Sequence, residues 1–432
     1  MANDGKLVYN DSGEAFEVQN LNSSDLVVYS KSGSSVSKHT NLDITDNGGS
    51  YSVKFAGDKN NDIQYHVFEH GAVLTPELEV APDTSDLKTG QAQYLIISHP
   101  AFLNDLSDLI TEREKQYSVK AVDVEAVYTE FNGGIFGPEA IRSYIDYAVN
   151  NLGTVHVLLV GGDSYDYHDY IGNSSLSFIP TFYGKVHEFA NFAPSDALIA
   201  DIDGDNVQDV SIGRFPVRTS QELANIIEKT LNYPLIANNN AVFAADADDG
   251  SISFSSDSNN FIDQLPIGWS VDKAYLEGST VVEAKATLID SINDGRALTS
   301  FFGHSSFGVW TFSGLFNLTD AQNLTNVGRP TVVTQYGCWN TYFVDPALNT
   351  LGHKFLLSGL NGAAAVTGPT SLTASSSDRV FGDIFLQNLF TGQTIGEAIR
   401  DTKQQIAPHG PSRNDVIIGW NLLGDPALVI TE

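Results

Sequence analysis

The sequence predicts an α/β protein in which mostly parallel sheets are flanked by helices in two subdomains, preceded by a small β-rich N-terminal region. From residue 92 onward, short apolar runs alternate with segments of helical periodicity, which is typical of β-α repeats. Before residue 86, short β-like runs alternate with turn clusters such as DNGG, which is typical of a small β unit. We therefore expect a β-rich region at 1–85 and α/β subdomains at 92–235 and 236–432.

The predicted elements can be given in chain order. The β-rich region has β-like runs at 26–30, 51–55 and 63–68. The first α/β subdomain has strands at 94–99, 119–128 and 155–163 and helices at 102–117, 138–152 and 221–233. The second has strands at 241–247, 297–304, 331–338 and 362–368 and helices at 380–392 and 395–406. Pro138 suits the first turn of a helix, and the uninterrupted apolar run at 155–163 suits a strand that is covered on both faces.

Composition excludes several classes of function. The 23 Lys and Arg residues against 53 Asp and Glu residues give a net charge of −30, so nucleic-acid binding and attraction to anionic membranes are not expected. No apolar run approaches the ~20 residues that span a bilayer, and the start of the chain lacks the basic and apolar regions of a signal peptide. The single cysteine, Cys338, cannot form an intrachain disulfide or a zinc cluster. Three roles are left for Cys338: a buried residue without a chemical function, a partner in an intermolecular disulfide, or a nucleophile.

Two predicted strands end in a glycine that is followed by a reactive side chain. The run ALTSFF ends in Gly303 and His304, and the run TVVTQY ends in Gly337 and Cys338. If one right-handed crossover joins these strands, His304 and Cys338 lie side by side at the carboxyl edge of the sheet. An imidazole there can take the thiol proton and pass it to a leaving amine. The alternative is that Cys338 is a small buried hydrophobe.

The backbone and a nearby carboxylate can complete such a site. The amides of Ser305, directly after the histidine, and of Cys338 can form an oxyanion hole. A carboxylate such as Asp248, which ends the run AVFAADA, can orient the imidazole as the third member of a triad.

The blocks GHSSFGVW and GCWNT resemble the histidine and cysteine blocks of the gingipain family of cysteine peptidases, which belongs with caspases and legumains to one clan. Further blocks, among them YLIISHPAF, VLLVGGDSYDY, IGRFPVRTSQE and NLLGDPAL, resemble family blocks in the same order, so the likeness covers about residues 92 to 430. The resemblance implies a caspase-like fold with Cys338 as nucleophile, His304 as general base and acid, and Asp248 as the supporting acid. Ser305 departs from the family, which usually has glycine there.

The resemblance also bears on specificity. Asp257, in FSSDSNNF, lies near the position at which arginine-specific gingipains carry the aspartate at the base of their specificity pocket. It implies cleavage after Arg or Lys. Asp246, Asp249 and Asp263 are nearby competitors for this role.

An acidic loop at residues 201–209 suggests calcium. Carboxylates stand at alternate positions and then once more four residues on, and a main-chain carbonyl adds a further oxygen; the ligands are Asp201, Asp203, Asp205, Val207 and Asp209. The spacing departs from an EF-hand, Asp196 is a further candidate, and a solvated acidic turn is the alternative.

We therefore expect a secreted cysteine endopeptidase with structural calcium, acting on protein or peptide substrates as a monomer, outside the cell or at its surface. The β-rich region can be an inhibitory prodomain, which makes the enzyme a zymogen, or an accessory domain. One alternative is a calcium-dependent adhesion or binding module on an inactive peptidase scaffold. The other is a peptidase of the same clan with non-basic specificity.

Overall fold

Two units make up the fold. The structure is a computed structural model that describes residues 2, 4–59, 63–74, 80–236, 238–250, 252–409 and 413–430. Contacts divide the chain into Met1–Val80 and Ala81–Glu432. The predicted limits at residues 85, 92 and 235 stay predictions. None of the helices in the described ranges is long and apolar enough to cross a membrane.

Within residues 4–59 and 63–74, the N-terminal unit contains seven antiparallel strands in two sheets. These strands are β1 (Lys6–Asp11), β2 (Ala15–Leu21), β3 (Leu26–Ser32), β4 (Ser35–Lys38), β5 (Asp43–Asp46), β6 (Tyr51–Ala56) and β7 (Ile63–Glu69). One sheet has the order β1-β7-β3-β4 and the other β2-β6-β5. Val28, Val53, Tyr65 and Val67 are buried in the core of this unit. The predicted β-rich character of this region is confirmed.

The larger unit begins with the elements of its first half. They are β8 (Tyr94–Ser98), α1 (Pro100–Leu103), α2 (Ser107–Arg113), β9 (Val119–Asp123), α3 (Val124–Asn132), α4 (Pro138–Leu152), β10 (His156–Val160), β11 (Phe182–Gly184), β12 (Ala193–Ser195), β13 (Ser211–Phe215) and α5 (Ser220–Ile236). The predicted strand at 119–128 is wrong in its second part, because Asp123 ends the strand and caps α3 by accepting a hydrogen bond from the Glu125 N–H at 2.9 Å.

The remaining elements follow β13 and α5 in the chain. They are β14 (Asn240–Ala245), α6 (Phe254–Ile262), β15 (Ser270–Tyr275), α7 (Val281–Asp294), β16 (Leu298–Phe302), β17 (Ser305–Ser306), β18 (Val309–Trp310), β19 (Phe316–Asn317), α8 (Leu318–Gln322), β20 (Thr331–Tyr336), α9 (Leu351–Leu357), β21 (Ala363–Pro369), α10 (Ser375–Leu389), α11 (Ile395–Ile406), α12 (Asn414–Ile417) and β22 (Trp420–Leu423).

One ten-stranded sheet runs through this unit in the order β15-β14-β16-β20-β21-β22-β13-β10-β8-β9. Neighbouring strands are parallel except at β21 and β22, which are antiparallel. The sheet thus has two parallel halves of opposite direction, and the last strand of the chain completes the first half. Alternate residues of β14 enter different cores, with Val242 on one face and Phe243 on the other. Helices therefore cover both faces, as the sequence predicts.

Candidate active site

The register of β16 and β20 places His304 and Cys338 at the same edge of the sheet. Phe302 pairs with Tyr336 in this parallel register, so the chain leaves both strands at the same level. The Gly303 N–H then donates to the Tyr336 carbonyl at 3.0 Å. β14 lies on the other side of β16 and delivers Asp246 to the same edge. The structure thus brings together the strand ends that the sequence singles out.

Glycine is required at both strand ends because the two loops touch. A Cβ added to Gly337 would lie 2.3 Å from the Gly303 carbonyl oxygen and 2.6 Å from Ser305 Oγ. A Cβ on Gly303 would lie 2.5 Å from the Asp246 Cβ. Ordinary carbon contacts are well above 3 Å, so any side chain at either position would push the loops apart.

His304 is held by its backbone and by two aromatic rings. Its N–H donates to Asp246 Oδ2 at 3.2 Å, and its carbonyl accepts from the Thr311 N–H at 2.7 Å. The imidazole packs edge-on against Phe254, at 5.3 Å between centroids, and is stacked on Phe312 at 5.0 Å. The side chain is 38% exposed, so a substrate can reach it.

The carboxylate that faces the imidazole belongs to Asp249. His304 Nε2 lies 3.5 Å from Asp249 Oδ2. The predicted partner Asp248 is an exposed neighbour in the same loop, and its role stays a prediction. Asp246 instead holds the backbone: its Oδ1 accepts from the Ala247 N–H at 2.8 Å and its Oδ2 from the His304 N–H. Burial raises the pKa of Asp246.

Cys338 is partly buried and its sulfur lies against Thr373. The Thr373 N–H donates to Sγ at 3.5 Å, and Sγ is 3.7 Å from the Thr373 carbonyl oxygen, to which a thiol can donate. Burial is the main cause that raises the pKa of the Cys338 thiol, and the charges of Asp378 and Asp415 act in the same direction. Within the described ranges no hydrogen bond joins the thiol to the His304 ring. The neutral thiol therefore needs a base before it can act as a nucleophile.

The predicted oxyanion hole involves the same two loops. Ser305 Oγ donates to the Cys338 carbonyl at 2.9 Å and so ties the loops together. Among the residues that the structure describes, none accepts a hydrogen bond from the Cys338 N–H. That amide is available to an incoming oxygen. The role of the Ser305 N–H stays a prediction. The next residue, Trp339, has a φ of 68°, which an L-residue rarely adopts and which the tight turn after Cys338 requires.

The family model of peptidase family C25 matches residues 88–431. The chain belongs to peptidase family C25. This confirms the predicted membership of the gingipain family of cysteine peptidases. None of the curated proteins compared with the chain matches it.

Solved structures support the same fold. The structure is similar to the complex of the Porphyromonas gingivalis RgpB pro- and mature domains, with a TM-score of 0.64 and 20% identity, covering 78% of this chain and 79% of that chain. It is also similar to the Arg-specific cysteine proteinase gingipain R (RgpB), with a TM-score of 0.64 and 19% identity, covering 81% of this chain and 80% of that chain. The predicted caspase-like α/β fold is thereby confirmed for this C25 peptidase.

Asp257, the predicted specificity residue of this C25 chain, is buried in the first turn of α6. Phe254, the first residue of the same helix, contacts the His304 ring. The Asp257 carboxylate already faces a cation, since its Oδ1 lies 3.7 Å from Nη1 of Arg379 on α10. Burial raises the pKa of Asp257, and Arg379 partly offsets this rise. The competitor Asp263 follows the last residue of α6, at the opposite end of the helix.

The acidic loop brings three of its predicted ligands together. Carboxylate oxygens of Asp201, Asp203 and Asp209 lie within 4.8 Å of one another. Burial is the main cause that raises the pKa of Asp201, and the charge of Asp205 acts in the same direction. In this loop Asp205 accepts from the Val207 N–H at 2.8 Å. Asp196 is committed elsewhere, since it forms a buried bidentate ion pair with Arg214 at 2.7 Å. Its candidacy as a ligand is therefore not supported.

Sequence reasoning missed the residue that contacts the sulfur and two carboxylates whose charges act on it. Thr373, Asp378 and Asp415 lie 35 or more positions after Cys338 in the chain, and no spacing links them to it. Asp378 comes from the first turn of α10 and Asp415 from α12. Both carboxylates are buried. The only available signal is that acidic residues are common in the first turns of helices, which does not indicate a site.

Proposed function

We propose that this chain is a cysteine endopeptidase in which Cys338 is the nucleophile and His304 the general base and acid. The observation that carries the proposal is the placement of His304 and Cys338 after Gly303 and Gly337, at the ends of paired parallel strands. Membership of a cysteine peptidase family supports it. The imidazole is accessible and the thiol is largely neutral, so the histidine is needed to remove the thiol proton.

The reaction would proceed through an acyl-enzyme. His304 takes the proton from Cys338 Sγ as the sulfur bonds to the scissile carbonyl carbon, and the carbonyl oxygen becomes an oxyanion near the Cys338 N–H. The carbon–nitrogen bond then breaks and the imidazolium gives its proton to the leaving amine. Water, deprotonated by His304, next attacks the thioester and releases the acid and the thiol. Asp249, 3.5 Å from Nε2, is placed to stabilise the imidazolium in each half of the cycle.

Cleavage after Arg or Lys is the specificity that we propose, with Asp257 as the counter-charge. Arg379 already faces this carboxylate, but its side chain is 49% exposed and the atoms are 3.7 Å apart. Ion pairs with an exposed partner contribute roughly 0–1 kcal/mol. A basic substrate side chain can therefore replace Arg379 at little cost. If Arg379 remains paired with Asp257 when substrate binds, the carboxylate cannot receive a basic side chain. A peptide library would then show non-basic specificity.

Calcium is proposed as a structural ligand of the acidic loop. The carboxylate oxygens of Asp201, Asp203 and Asp209 are close enough to bind one hard cation. The cation would neutralise the negative charge of these carboxylates. Asp205 and the Val207 carbonyl are the remaining proposed ligands. If the proposal holds, calcium raises the thermal midpoint, EDTA reverses the rise, and Asp203→Asn abolishes it. An unchanged midpoint would favour a solvated acidic turn.

The proposal extends to the setting of the enzyme. We propose that it acts outside the cell or at its surface, as a monomer, on protein or peptide substrates. The N-terminal β-rich unit would keep it latent as a prodomain, by analogy with RgpB, for which a complex of pro- and mature domains has been solved. Mass change on incubation would reveal autoprocessing, and Cys338→Ala should prevent it.

The direct test compares the parent with Cys338→Ala and His304→Ala on casein and on a positional-scanning peptide library. We expect both variants to fold and to lose hydrolysis. Iodoacetamide should label Cys338, the only thiol in the chain, and His304→Ala should slow this labelling because the histidine removes the thiol proton. If Cys338→Ala cleaves casein as fast as the parent, the proposal is wrong. If the parent cleaves no peptide and its thiol is unreactive, a binding module on an inactive peptidase scaffold is favoured.

A further inference from the structure

The segment between β21 and α10 is the immediate environment of the sulfur. Thr373 offers Sγ both a donor and an acceptor, because its N–H lies 3.5 Å and its carbonyl oxygen 3.7 Å from the sulfur. The carbonyl can accept from a thiol, whereas the N–H can donate to a thiolate. Hydrogen bonds to an ionised group are roughly twice as strong as those between neutral groups. The position of the Thr373 backbone therefore affects how readily the thiolate forms.

Two buried carboxylates hold this segment in place. The Thr373 hydroxyl donates to Asp378 Oδ2 at 2.7 Å, and the Ala374 N–H donates to Asp415 Oδ2 at 2.9 Å. The Asp378 N–H donates in turn to the Ala374 carbonyl at 3.0 Å, which closes a small ring of contacts. Both carboxylates are themselves buried, so the segment is fixed from inside the protein.

Asp378 is an unusual side chain for such a place. It is only 2% exposed, and its second oxygen, Oδ1, has no hydrogen-bond partner within the described residues. Burial raises the pKa of Asp378 well above its ordinary value, and neighbouring Asp415 adds to the rise. A buried carboxyl without a cation costs free energy. The presence of Asp378 at this buried position is explained if its contact with Thr373 serves the site.

We propose that Asp378 is a positioning residue for the nucleophile, which holds Thr373 so that the Thr373 backbone N–H donates to the Cys338 sulfur. This inference rests on the proposed function of Cys338. Asp378 acts through Thr373 and does not touch substrate. Asp378 on α10 and Asp415 on α12 are the groups whose charges raise the pKa of the Cys338 thiol, and His304 follows the neighbouring strand of the sheet.

The test uses two pairs of variants. Asp378→Ala and Thr373→Val each remove one end of the hydrogen bond, whereas Asp378→Asn and Thr373→Ser keep an acceptor and a hydroxyl. Thr391→Val, two residues after the end of α10, is the control, since among the described residues its hydroxyl donates to the Asn388 carbonyl and to no group near the sulfur. The first measurement is the rate of iodoacetamide alkylation of Cys338 as a function of pH. The second is kcat and KM on a peptide that the parent cleaves.

We expect Asp378→Ala and Thr373→Val to move the alkylation midpoint up by about one pH unit, as the thiolate loses a well-placed donor. They should lower kcat about tenfold, with KM within about twofold of the parent. Asp378→Asn, Thr373→Ser and Thr391→Val should follow the parent within about threefold.

Two results would overturn the inference. One is an unchanged midpoint and kcat in Thr373→Val, which removes only a hydroxyl and decides the matter even if Asp378→Ala does not fold. The other is a loss in Asp378→Asn equal to that in Asp378→Ala, because the role would then depend on the acid itself. Alkylation requires no substrate. If the parent cleaves nothing, the proposed function fails while the midpoints still decide the role of Asp378.

Discussion

Gly337→Ala is the substitution for which the structure gives the clearest expected loss. The new Cβ would lie 2.3 Å from the Gly303 carbonyl oxygen and 2.6 Å from Ser305 Oγ. A normal contact needs about 3.2 Å or more, so the two loops must separate by about 1 Å. That movement separates His304 from Cys338 and strains the hydrogen bond from Ser305 Oγ to the Cys338 carbonyl.

A misplacement of about 1 Å between reacting groups reduces turnover by roughly 10²-fold. Overpacking adds about 1–3 kcal/mol of destabilisation. The assay is the initial rate of peptide hydrolysis, with circular dichroism and the thermal midpoint as checks on folding. Gly71→Ala is the matched control, because nothing lies within 4 Å of a Cβ built there and its backbone is not in the left-handed region.

The reasoning would be refuted by a folded Gly337→Ala protein that keeps more than about half of the parent kcat/KM. Such a result would mean that the loops can separate without affecting the reaction. A protein that does not fold would show only that the position is required for stability. In that case the alkylation rate of Cys338 in the fraction that remains folded is the deciding measurement.

Two further predictions concern the histidines. Asp249→Asn should lower kcat/KM about fivefold at neutral pH because it removes the charge beside His304. Asp248→Asn should keep kcat/KM within about twofold of the parent. A larger loss in Asp248→Asn than in Asp249→Asn would instead support Asp248 as the residue that assists His304. Burial holds the pKa of His353 at about 3, so the folded protein keeps it neutral while the unfolded chain takes up a proton below its ordinary value of 6.5. The stability it contributes is therefore present above pH 6.5 and lost as the pH falls toward 3. Urea titrations at pH 7 and pH 5 measure the free energy of unfolding. Over this range it should fall by about 2 kcal/mol more in the parent than in His353→Asn. Equal falls in the two proteins would contradict the low pKa of His353.

The sequence was sufficient to place His304 and Cys338 at one edge of the sheet because the strands before them are apolar and parallel. In such strands successive side chains alternate between the two faces, and the carboxyl ends of neighbouring strands meet at one edge of the sheet. A residue that directly follows a strand is therefore predicted to lie at that edge. The glycines before His304 and Cys338 added a second, independent signal. The strand-end positions and the glycines are both features of the local sequence, so they can be recognised without knowing the tertiary fold.

The rest of the site depends on loop geometry and on distant pairing. The path of the loop after β14 decides which of Asp248 and Asp249 faces the His304 imidazole. Neither secondary-structure propensity nor hydrophobic periodicity predicts the path of such a loop. Thr373 reaches the sulfur because β21 lies beside β20 and α10 begins soon after it. The antiparallel placement of β22 depends on a strand of only four residues, which is too short to give a pattern.

Several acidic residues serve the site as hydrogen-bond acceptors and not as surface charge. Asp246, Asp378 and Asp415 are each at most 6% exposed. They accept, respectively, from the His304 N–H, the Thr373 hydroxyl and the Ala374 N–H, and burial raises the pKa of each. A short carboxyl side chain in the turn after a strand or at a helix start reaches such donors directly. Part of the formal charge of −30 therefore belongs to side chains that fix the loops around Cys338 and His304. At these positions an amide of the same shape should preserve the loop, whereas alanine should release it.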